Sequence, residues 1–238
     1  MTATVRPRRS VLYVPGDNLR ALEKARTPAA DGLIFDIEDA VAADRKEAAR
    51  AQIMSAFSTG GYGRRERIVR VNALATPWGR DDLVAVAKSD ANAVLLPKIG
   101  GAAAVRDAEA ILVAAGAPDS LAIWCMIETP RGVLRAEQIA DASPRVACLV
   151  AGTVDLAKDL HASDSADRLT LIPALNQILL AARAAELVCL DGVYVNIKDD
   201  DGFLRECRQG AQMGFDGKTL IHPKTIATAN RLFAPNAE

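Results

Sequence analysis

The feature that most constrains the fold is the alternation of strand patterns and helix patterns, which recurs eight times along 238 residues. Short apolar runs are typical of buried strands, and the longer segments between them are typical of helices. The predicted strands cover residues 11–14, 32–39, 67–72, 93–97, 121–127, 146–151, 190–195 and 219–221. The predicted helices cover residues 18–26, 45–57, 80–88, 102–115, 131–140, 173–186, 203–213 and 222–233.

Eight strand–helix units in a chain of this length predict an α/β fold of the (β/α)8 TIM barrel type, for which about 250 residues are typical. An open doubly wound sheet rarely needs eight evenly spaced units. No linker, low-complexity tract or charge run divides the sequence, so we expect a single barrel domain over residues 1–238. The hydrophobic content of 50% supports a sizeable core, and the aromatic content of 4% makes that core aliphatic.

Charge and cysteine usage exclude several classes of protein. The 29 basic and 30 acidic residues leave a net charge of −1, so no basic field suggests nucleic acid as a partner. The cysteines lack CxxC spacing, and we expect buried free thiols in a reducing compartment. No apolar run approaches the ~18 residues of a membrane span. These features predict a soluble, cytoplasmic protein without a signal peptide or a membrane partner.

Two neighbouring predicted strands are each followed by an acidic residue. Glu128 follows strand 121–127, and Asp155 follows strand 146–151. Adjacent parallel strands lie about 4.8 Å apart, so both carboxylates could converge on one divalent cation. Two carboxylates, with water and substrate in the other positions, are a common way to hold Mg²⁺. The alternative is that both are ordinary loop acids or helix caps, since acids favour helix N-termini.

The remaining strand ends carry further polar residues, and in a barrel these ends form the mouth where active sites lie. The set comprises Asp36, Glu38, Asp39, Arg70, Asn72, Lys98, Asn196 and His222. Arg70 can bind a substrate carboxylate through two parallel hydrogen bonds, or it can be a structural partner of Asp36 or Glu38. His222 precedes Pro223 and is interpreted as a helix-start residue rather than a base. The residues alone therefore predict a metal-dependent enzyme that acts on a small carboxylate.

Six motifs along the chain resemble those of the citrate lyase β-subunit family, within the HpcH/HpaI aldolase and malyl-CoA lyase superfamily. They are RSVLYVPG at 9–16, FDIEDAV at 35–41, VRVN at 69–72, LPK at 96–98, IETP at 127–130 and GFDGKTLIHP at 214–223. Because all six occur in the same order as in the family, the resemblance covers essentially the whole chain.

The resemblance implies a Mg²⁺-dependent carbon–carbon lyase on a (β/α)8 barrel. Such enzymes cleave a citryl- or malyl-type 3-hydroxyacyl thioester, carried on CoA or an acyl carrier, to an oxaloacetate-like 2-oxo acid and an acetyl thioester. The resemblance also implies assembly as a homotrimer or hexamer and raises the possibility of citrate lyase α and γ subunits as partners.

The resemblance further implies a role for particular residues. Glu128 and Asp155 match the metal ligands, and Arg70 matches the arginine that holds the oxo acid. The other implied roles are catalytic positions beside the metal's waters for Asp36 and Glu38, added positive charge in the substrate site for Lys98, and the path of the thioester arm for Pro15 and Gly16.

The sequence departs from the family pattern at several points. GTVD at 152–155 replaces the usual Gly-Ala-Glu-Asp, so Val154 stands where relatives carry an acid. Longer relatives continue beyond the position of Glu238 with a helical segment that brings an aspartate used in thioester chemistry, so this chain is expected to be a short form with no assigned general acid or base. Two alternatives stay open: a class II-type aldolase acting on a free hydroxy-oxo acid, and a non-catalytic barrel subunit that retains oxo-acid and metal binding.

Overall fold

Eight parallel strands pair in chain order, and the last strand closes onto the first to form a barrel. The computed structural model describes residues 6–163 and 165–235. The strands are β1 (Ser10–Pro15), β2 (Gly32–Asp36), β3 (Glu66–Arg70), β4 (Ala93–Leu96), β5 (Ala122–Ile127), β6 (Val146–Ala151), β7 (Val188–Asp191) and β8 (Gly217–Leu220). The predicted TIM barrel is confirmed. The predicted domain of residues 1–238 also includes residues 1–5, 164 and 236–238, which lie outside the described residues.

Helices surround the barrel and follow each strand. They are α1 (Leu19–Lys24), α2 (Lys46–Thr59), α3 (Gly79–Ala87), α4 (Ala102–Ala114), α5 (Pro130–Leu134), α6 (Ala136–Ala140), α7 (Thr153–Asp159), α8 (Ile172–Ala184), α9 (Asp200–Met213) and α10 (Ile226–Leu232). Short 3₁₀ turns at Ala43–Arg45 and Pro223–Thr225 precede α2 and α10. Within the described residues, no helix has both the length and the apolar character needed to cross a membrane.

Two predicted segments differ from the observed helices. The predicted helix 131–140 is divided into α5 and α6 because Arg135 leaves helical geometry, with φ −119° and ψ 17°. Asp155 was expected in the loop after a strand, but it lies in the first turn of α7. The helix begins directly after Gly152, so the strand-to-helix connection is shorter than the sequence pattern indicated.

The seventh strand was predicted over 190–195, but it covers Val188–Asp191. Its pairing with β8 ends at Asp191 and Lys218, so the apolar residues that follow belong to a loop over the barrel mouth. Asn196 therefore lies beyond the strand end, where its side chain accepts a hydrogen bond from the backbone N–H of Lys198 at 3.3 Å. The prediction of Asn196 as a strand-end residue is wrong.

A cluster of four charged residues explains why the eighth strand, predicted over 219–221, covers Gly217–Leu220 and includes Lys218. The Lys218 ammonium lies 2.9 Å from Asp191 Oδ2 and 2.6 Å from Glu206 Oε1. Arg168 Nη1 lies 2.7 Å from Asp191 Oδ1. Lys218 and Asp191 are fully buried. Two cations and two carboxylates compensate each other, so a charged side chain can occupy a strand position that sequence patterns assign to loops.

The alternation of side chains along the strands produces two apolar cores. The smaller core fills the barrel interior and includes Val11, Ile34, Ile68 and Trp124. The larger core lies between the strands and the surrounding helices. The four cysteines are buried free thiols, as predicted. Burial raises the pKa of Cys125 to about 12, which makes it chemically inert.

Candidate active site

A cavity of about 280 Å³ opens at the carboxyl ends of the strands. Five of the eight predicted site residues line it: Pro15, Asp36, Arg70, Glu128 and Asp155. The other three are outside this lining but contact it: Gly16 contacts Asp36, Glu38 contacts Arg70, and Lys98 contacts Glu128. The barrel therefore brings together most of the residues that the strand-end pattern singled out.

Arg70 is held in place by Asp36. The two residues are register partners on β3 and β2, so they lie side by side at the barrel mouth. Arg70 Nε donates to Asp36 Oδ1 at 2.8 Å, and Nη2 donates to Oδ2 at 2.6 Å. Burial alone lowers the pKa of Arg70, but the hydrogen bonds and charge of Asp36 raise it well above its ordinary value. The guanidinium is therefore a fixed positive charge that still borders the cavity.

Asp36 also organises the loop that follows β2. Its Oδ1 accepts the backbone N–H of Glu38 at 2.9 Å, and its Oδ2 accepts that of Ala40 at 3.2 Å. With the two bonds from Arg70, the carboxylate has four hydrogen-bond donors. Asp36 therefore positions both Arg70 and the loop after β2.

Glu38 forms ion pairs with two basic side chains. Its Oε2 lies 3.1 Å from Arg70 Nη1, and its Oε1 forms an ion pair with the Lys98 ammonium. Lys98 Nζ also lies 3.3 Å from Asp39 Oδ1. Burial raises the pKa of Glu38, and the charge of Arg70 and the hydrogen bond from Lys98 partly offset that rise. These contacts tie the loop after β2 to the end of β4.

Glu128 follows β5 and is a buried carboxylate with only 2% of its surface exposed. Its Oε1 accepts the backbone N–H of Lys98 at 2.6 Å. Among the described residues, no ion pair involves Glu128. Burial raises its pKa to about 8, and the charges of Glu38 and Asp155 add to this rise, while the Lys98 backbone N–H and the charge of Arg70 oppose it. A buried carboxylate without a paired cation is unfavourable, and a bound divalent cation would remove the penalty.

Asp155 borders the same cavity from the first turn of α7. The connection that carries it packs tightly on Glu128, because a Cβ atom at Gly152 would lie 2.3 Å from Glu128 Cβ. Within residues 6–163 and 165–235, no group of three or more His, Cys, Asp or Glu side chains has the geometry of a metal site. The protein therefore offers two carboxylates, and this donor set fits Mg²⁺, which keeps several positions for water and substrate.

Two helix-start roles can now be assigned to particular residues. Thr129, rather than Glu128, caps α5 by accepting the backbone N–H of Gly132 at 3.0 Å. His222 begins the 3₁₀ turn before α10, and its Nδ1 accepts the backbone N–H of Lys224 at 3.2 Å. The interpretation of His222 as a helix-start residue is confirmed.

Three further residues that were not predicted also line the cavity: Tyr13, Met126 and Thr219. All three lie within strands, whereas the predicted residues lie at the strand ends or beyond them. The signal that identifies Tyr13 is the alternation along β1, in which it points to the same side as Val11 in the barrel interior.

Comparisons with known proteins agree with this architecture. A (3S)-malyl-CoA thioesterase from Cereibacter sphaeroides is 52% identical over 236 residues, covering 99% of this chain and 80% of that protein. The citrate lyase subunit beta of Escherichia coli is 40% identical, covering 97% of this chain and 78% of that protein. The solved citrate lyase beta subunit of Mycobacterium tuberculosis, complexed with oxaloacetate and magnesium, superposes with a TM-score of 0.82 at 31% identity, covering 96% of this chain and 98% of that chain.

The family model that matches the chain is described as HpcH/HpaI aldolase/citrate lyase, and the match spans residues 9–223. It includes every strand of the barrel and all eight of the predicted site residues. The chain therefore belongs to the HpcH/HpaI aldolase/citrate lyase family.

Proposed function

We propose that this protein is a Mg²⁺-dependent carbon–carbon lyase that cleaves a malyl- or citryl-type 3-hydroxyacyl thioester to a 2-oxo acid and an acetyl thioester. The observation that carries the proposal is the uncompensated carboxylate of Glu128, which shares one cavity with Asp155 and Arg70. The magnesium and oxaloacetate in the M. tuberculosis relative support the same ligands here.

Each residue has a role that follows from its contacts. Glu128 and Asp155 hold the cation, and Arg70 binds the carboxylate that becomes part of the oxo acid. Asp36 orients Arg70 through its two hydrogen bonds, and Glu38 and Lys98 fix the loop beside it. When bound, Mg²⁺ supplies Lewis-acid activation of the substrate hydroxyl. Pro15 lines the cavity, where it would contact the thioester arm.

The bond changes balance without any further reactant. The substrate hydroxyl loses its proton, and its oxygen becomes the ketone or aldehyde oxygen of the oxo acid. The bond that breaks joins the carbon that carries this hydroxyl to the carbon next to the thioester carbonyl. Its electron pair stays on the latter carbon, which takes up a proton to give the acetyl thioester. Arg70 offsets negative charge on the oxo-acid side of the breaking bond.

Hydrolysis of the same thioester is the second candidate. It is favoured by the 52% identity to a (3S)-malyl-CoA thioesterase, compared with 40% to the citrate lyase subunit. In this reaction water adds to the thioester carbonyl and the thiol leaves, so malyl-CoA would give malate and free CoA. The cation and arginine would hold the malyl group in the same way.

Product analysis separates the two candidates. Malyl-CoA and citryl-CoA are incubated with the protein and Mg²⁺, and the oxo acid and the free thiol are measured in parallel. The lyase gives glyoxylate or oxaloacetate without free thiol, whereas hydrolysis gives free thiol without an oxo acid. Glu128→Gln is the control and should abolish either activity.

Two further measurements test the remaining alternatives, an aldolase and a non-catalytic subunit. Turnover of a free hydroxy-oxo acid, without turnover of either thioester, would identify an aldolase. Mg²⁺-dependent oxaloacetate binding without turnover of any of these substrates would identify a non-catalytic subunit. Light scattering tests the proposed homotrimer or hexamer, and co-purification tests the proposed α and γ subunit partners.

A further inference from the structure

The ammonium of Lys46 is buried beside the loop that follows β2. Lys46 is the first residue of α2, and only 8% of its surface is exposed. Its Nζ donates to the Glu38 carbonyl oxygen at 2.6 Å and to the Ile37 carbonyl oxygen at 3.0 Å. The charged end of Lys46 is therefore directed at the backbone of the loop whose side chains contact Arg70.

The stability of α2 does not account for a lysine at this position. The N-terminus of a helix carries a partial positive charge, so a cation in the first turn is unfavourable there. Burial of an ammonium is also unfavourable unless hydrogen bonds replace its contacts with water. Here the replacements are the two carbonyl oxygens and the face of the Trp78 ring, whose centroid lies 5.8 Å from Nζ. The lysine thus stabilises the loop after β2 rather than the helix that carries it.

Asn72, one of the polar residues predicted at the strand ends, holds the same loop. Its Nδ2 donates to the Ile37 carbonyl oxygen at 3.3 Å and to Asp82 Oδ2 at 2.7 Å. Asp82 is fully buried, and its Oδ1 accepts from Arg50 Nη1 at 2.8 Å. The Ile37 carbonyl therefore accepts hydrogen bonds from two side chains, of which only Lys46 is charged.

The position of this loop determines where the guanidinium of Arg70 lies. Asp36 accepts two hydrogen bonds from Arg70, and Glu38 Oε2 lies 3.1 Å from Arg70 Nη1. Lys46 holds the carbonyls of Ile37 and Glu38, which belong to the same short stretch of backbone. Loss of the ammonium would remove a charged donor from both carbonyls and allow Glu38 to shift relative to Arg70. Because Arg70 lines the cavity, such a shift would reach a bound ligand.

We propose that Lys46 is a positioning residue for the proposed reaction, whose ammonium fixes the backbone of residues 37–38 and thereby the place of Glu38 beside Arg70. The inference rests on the proposed function, because it takes an oxo acid as the ligand of Arg70. Lys46 acts through Arg70 and not through the carboxylates assigned to the cation. Its removal should therefore weaken the binding of the oxo acid and leave the binding of Mg²⁺ unchanged.

The test is calorimetric titration with Mg²⁺, and then with oxaloacetate at saturating Mg²⁺, comparing wild type with Lys46→Met. Methionine keeps an unbranched side chain and removes the ammonium. We expect at least about ten-fold weaker oxaloacetate binding, because a small displacement of a substrate-binding group is costly. Lys46→Arg, which restores the charge and the donors, should bind oxaloacetate more tightly than Lys46→Met. Lys46→Gln has an uncharged donor that ends one bond short of the ammonium position, and it gives a second measurement of the same loss if Lys46→Met does not fold.

Arg65→Met is the matched control. Arg65 also donates to two backbone carbonyls, those of Pro28 and Tyr62, but it directly precedes β3 and so lies at the opposite end of the barrel from the cavity. Both methionine variants should have lower melting temperatures than the wild type. Only Lys46→Met should bind oxaloacetate more weakly well below its melting temperature, since a merely structural role would leave the affinity of the folded protein unchanged.

The outcomes distinguish this inference from the proposed function. Wild-type oxaloacetate affinity in Lys46→Met, or in Lys46→Gln, would overturn the role of Lys46 and leave the proposed function intact. Absence of Mg²⁺-dependent oxaloacetate binding in the wild type would overturn both. An equal loss of Mg²⁺ affinity in Lys46→Met would also overturn the inference, because Lys46 would then act on the cation site.

Discussion

The backbone N–H of Lys98 donates a hydrogen bond to Oε1 of Glu128 at 2.6 Å, while the ammonium of the same residue pairs with Glu38. Lys98 makes both contacts with a left-handed backbone, with φ 54°. One residue thereby links a candidate metal ligand to the carboxylate beside Arg70. The left-handed conformation is unfavourable for lysine, so the surrounding contacts must maintain it.

The conformation of Lys98 predicts an unusual order of stability between two variants. Lys98→Gly and Lys98→Ala both remove the ion pair with Glu38, but only glycine adopts a left-handed backbone without strain. We expect the glycine variant to be more stable than the alanine variant by about 1 kcal/mol. Urea unfolding of the metal-free proteins measures the difference. Equal stabilities, or a more stable alanine variant, would contradict the strained conformation.

The raised pKa of Glu128 predicts a specific pH dependence of stability in the metal-free protein. Its pKa is about 8 in the folded state against an ordinary value of 4.5, so the folded state retains a proton that the unfolded state has lost. The stabilising contribution is therefore fully present below the ordinary pKa and is lost as the pH rises towards 8. The slope approaches about 1.4 kcal/mol per pH unit within this window.

Glu128→Gln is the control for this titration, because glutamine keeps the shape of the side chain and cannot ionise. The free energy of unfolding of wild type, minus that of the variant, should fall between about pH 5 and pH 8 and level off above it. Added Mg²⁺ should stabilise the wild type at pH 8 and have little effect on the variant. A difference that does not change with pH would show that Glu128 has an ordinary pKa.

The pair of Asp36 and Arg70 predicts a large loss of stability when one partner is removed. Asp36→Ala leaves the buried Arg70 guanidinium without its two strongest acceptors and frees two backbone N–H groups in the loop after β2. The free energy of unfolding should fall by about 3–5 kcal/mol.

Asp200→Ala is the matched comparison for this loss. Asp200 pairs with Lys224 at 2.6 Å, but its side chain is 80% exposed. Removal of such a surface pair should cost less than about 1 kcal/mol. If chemical denaturation gave similar losses for both variants, the Asp36–Arg70 pair would contribute no more to the free energy of unfolding than an exposed surface pair.

The sequence was sufficient to predict which strand ends contribute to the site. Arg70, Glu128 and Asp155 each follow an apolar run, and parallel strands bring their carboxyl ends to one edge. This reasoning requires only the length and order of the strands, and all three residues line the cavity. Their roles as substrate-binding and metal-binding residues remain predictions.

The contacts that hold the site together could not be predicted in the same way. The left-handed backbone of Lys98 depends on its packing against Glu128 and Glu38, which lie 30 or more residues away. The role of Gly16 beside the thioester arm stays a prediction, and a Cβ atom at this position would lie 2.7 Å from the Asp36 carbonyl oxygen. A close approach of two backbone segments thus accounts for this glycine, and no periodicity in the sequence encodes it.

The packing of Gly152 against Glu128 predicts a loss of metal binding from a single methyl group. In Gly152→Ala, the new Cβ would lie 2.3 Å from Glu128 Cβ and 2.8 Å from its Oε2, so the carboxylate must move. The backbone of Gly152 has φ −93°, which alanine tolerates, so the effect is steric. We expect at least about ten-fold weaker Mg²⁺ binding and a stability loss of about 1–3 kcal/mol.

Gly100→Ala is the control, since it adds the same methyl group in the loop after β4, where the nearest atom is Arg131 Cδ at 3.6 Å. This is ordinary van der Waals contact, so Mg²⁺ affinity and melting temperature should equal those of the wild type. Calorimetric titration with Mg²⁺ and thermal unfolding measure both variants. Wild-type Mg²⁺ affinity in Gly152→Ala would mean that the position of Glu128 does not determine metal binding, and the assignment of Glu128 as a ligand would then fail.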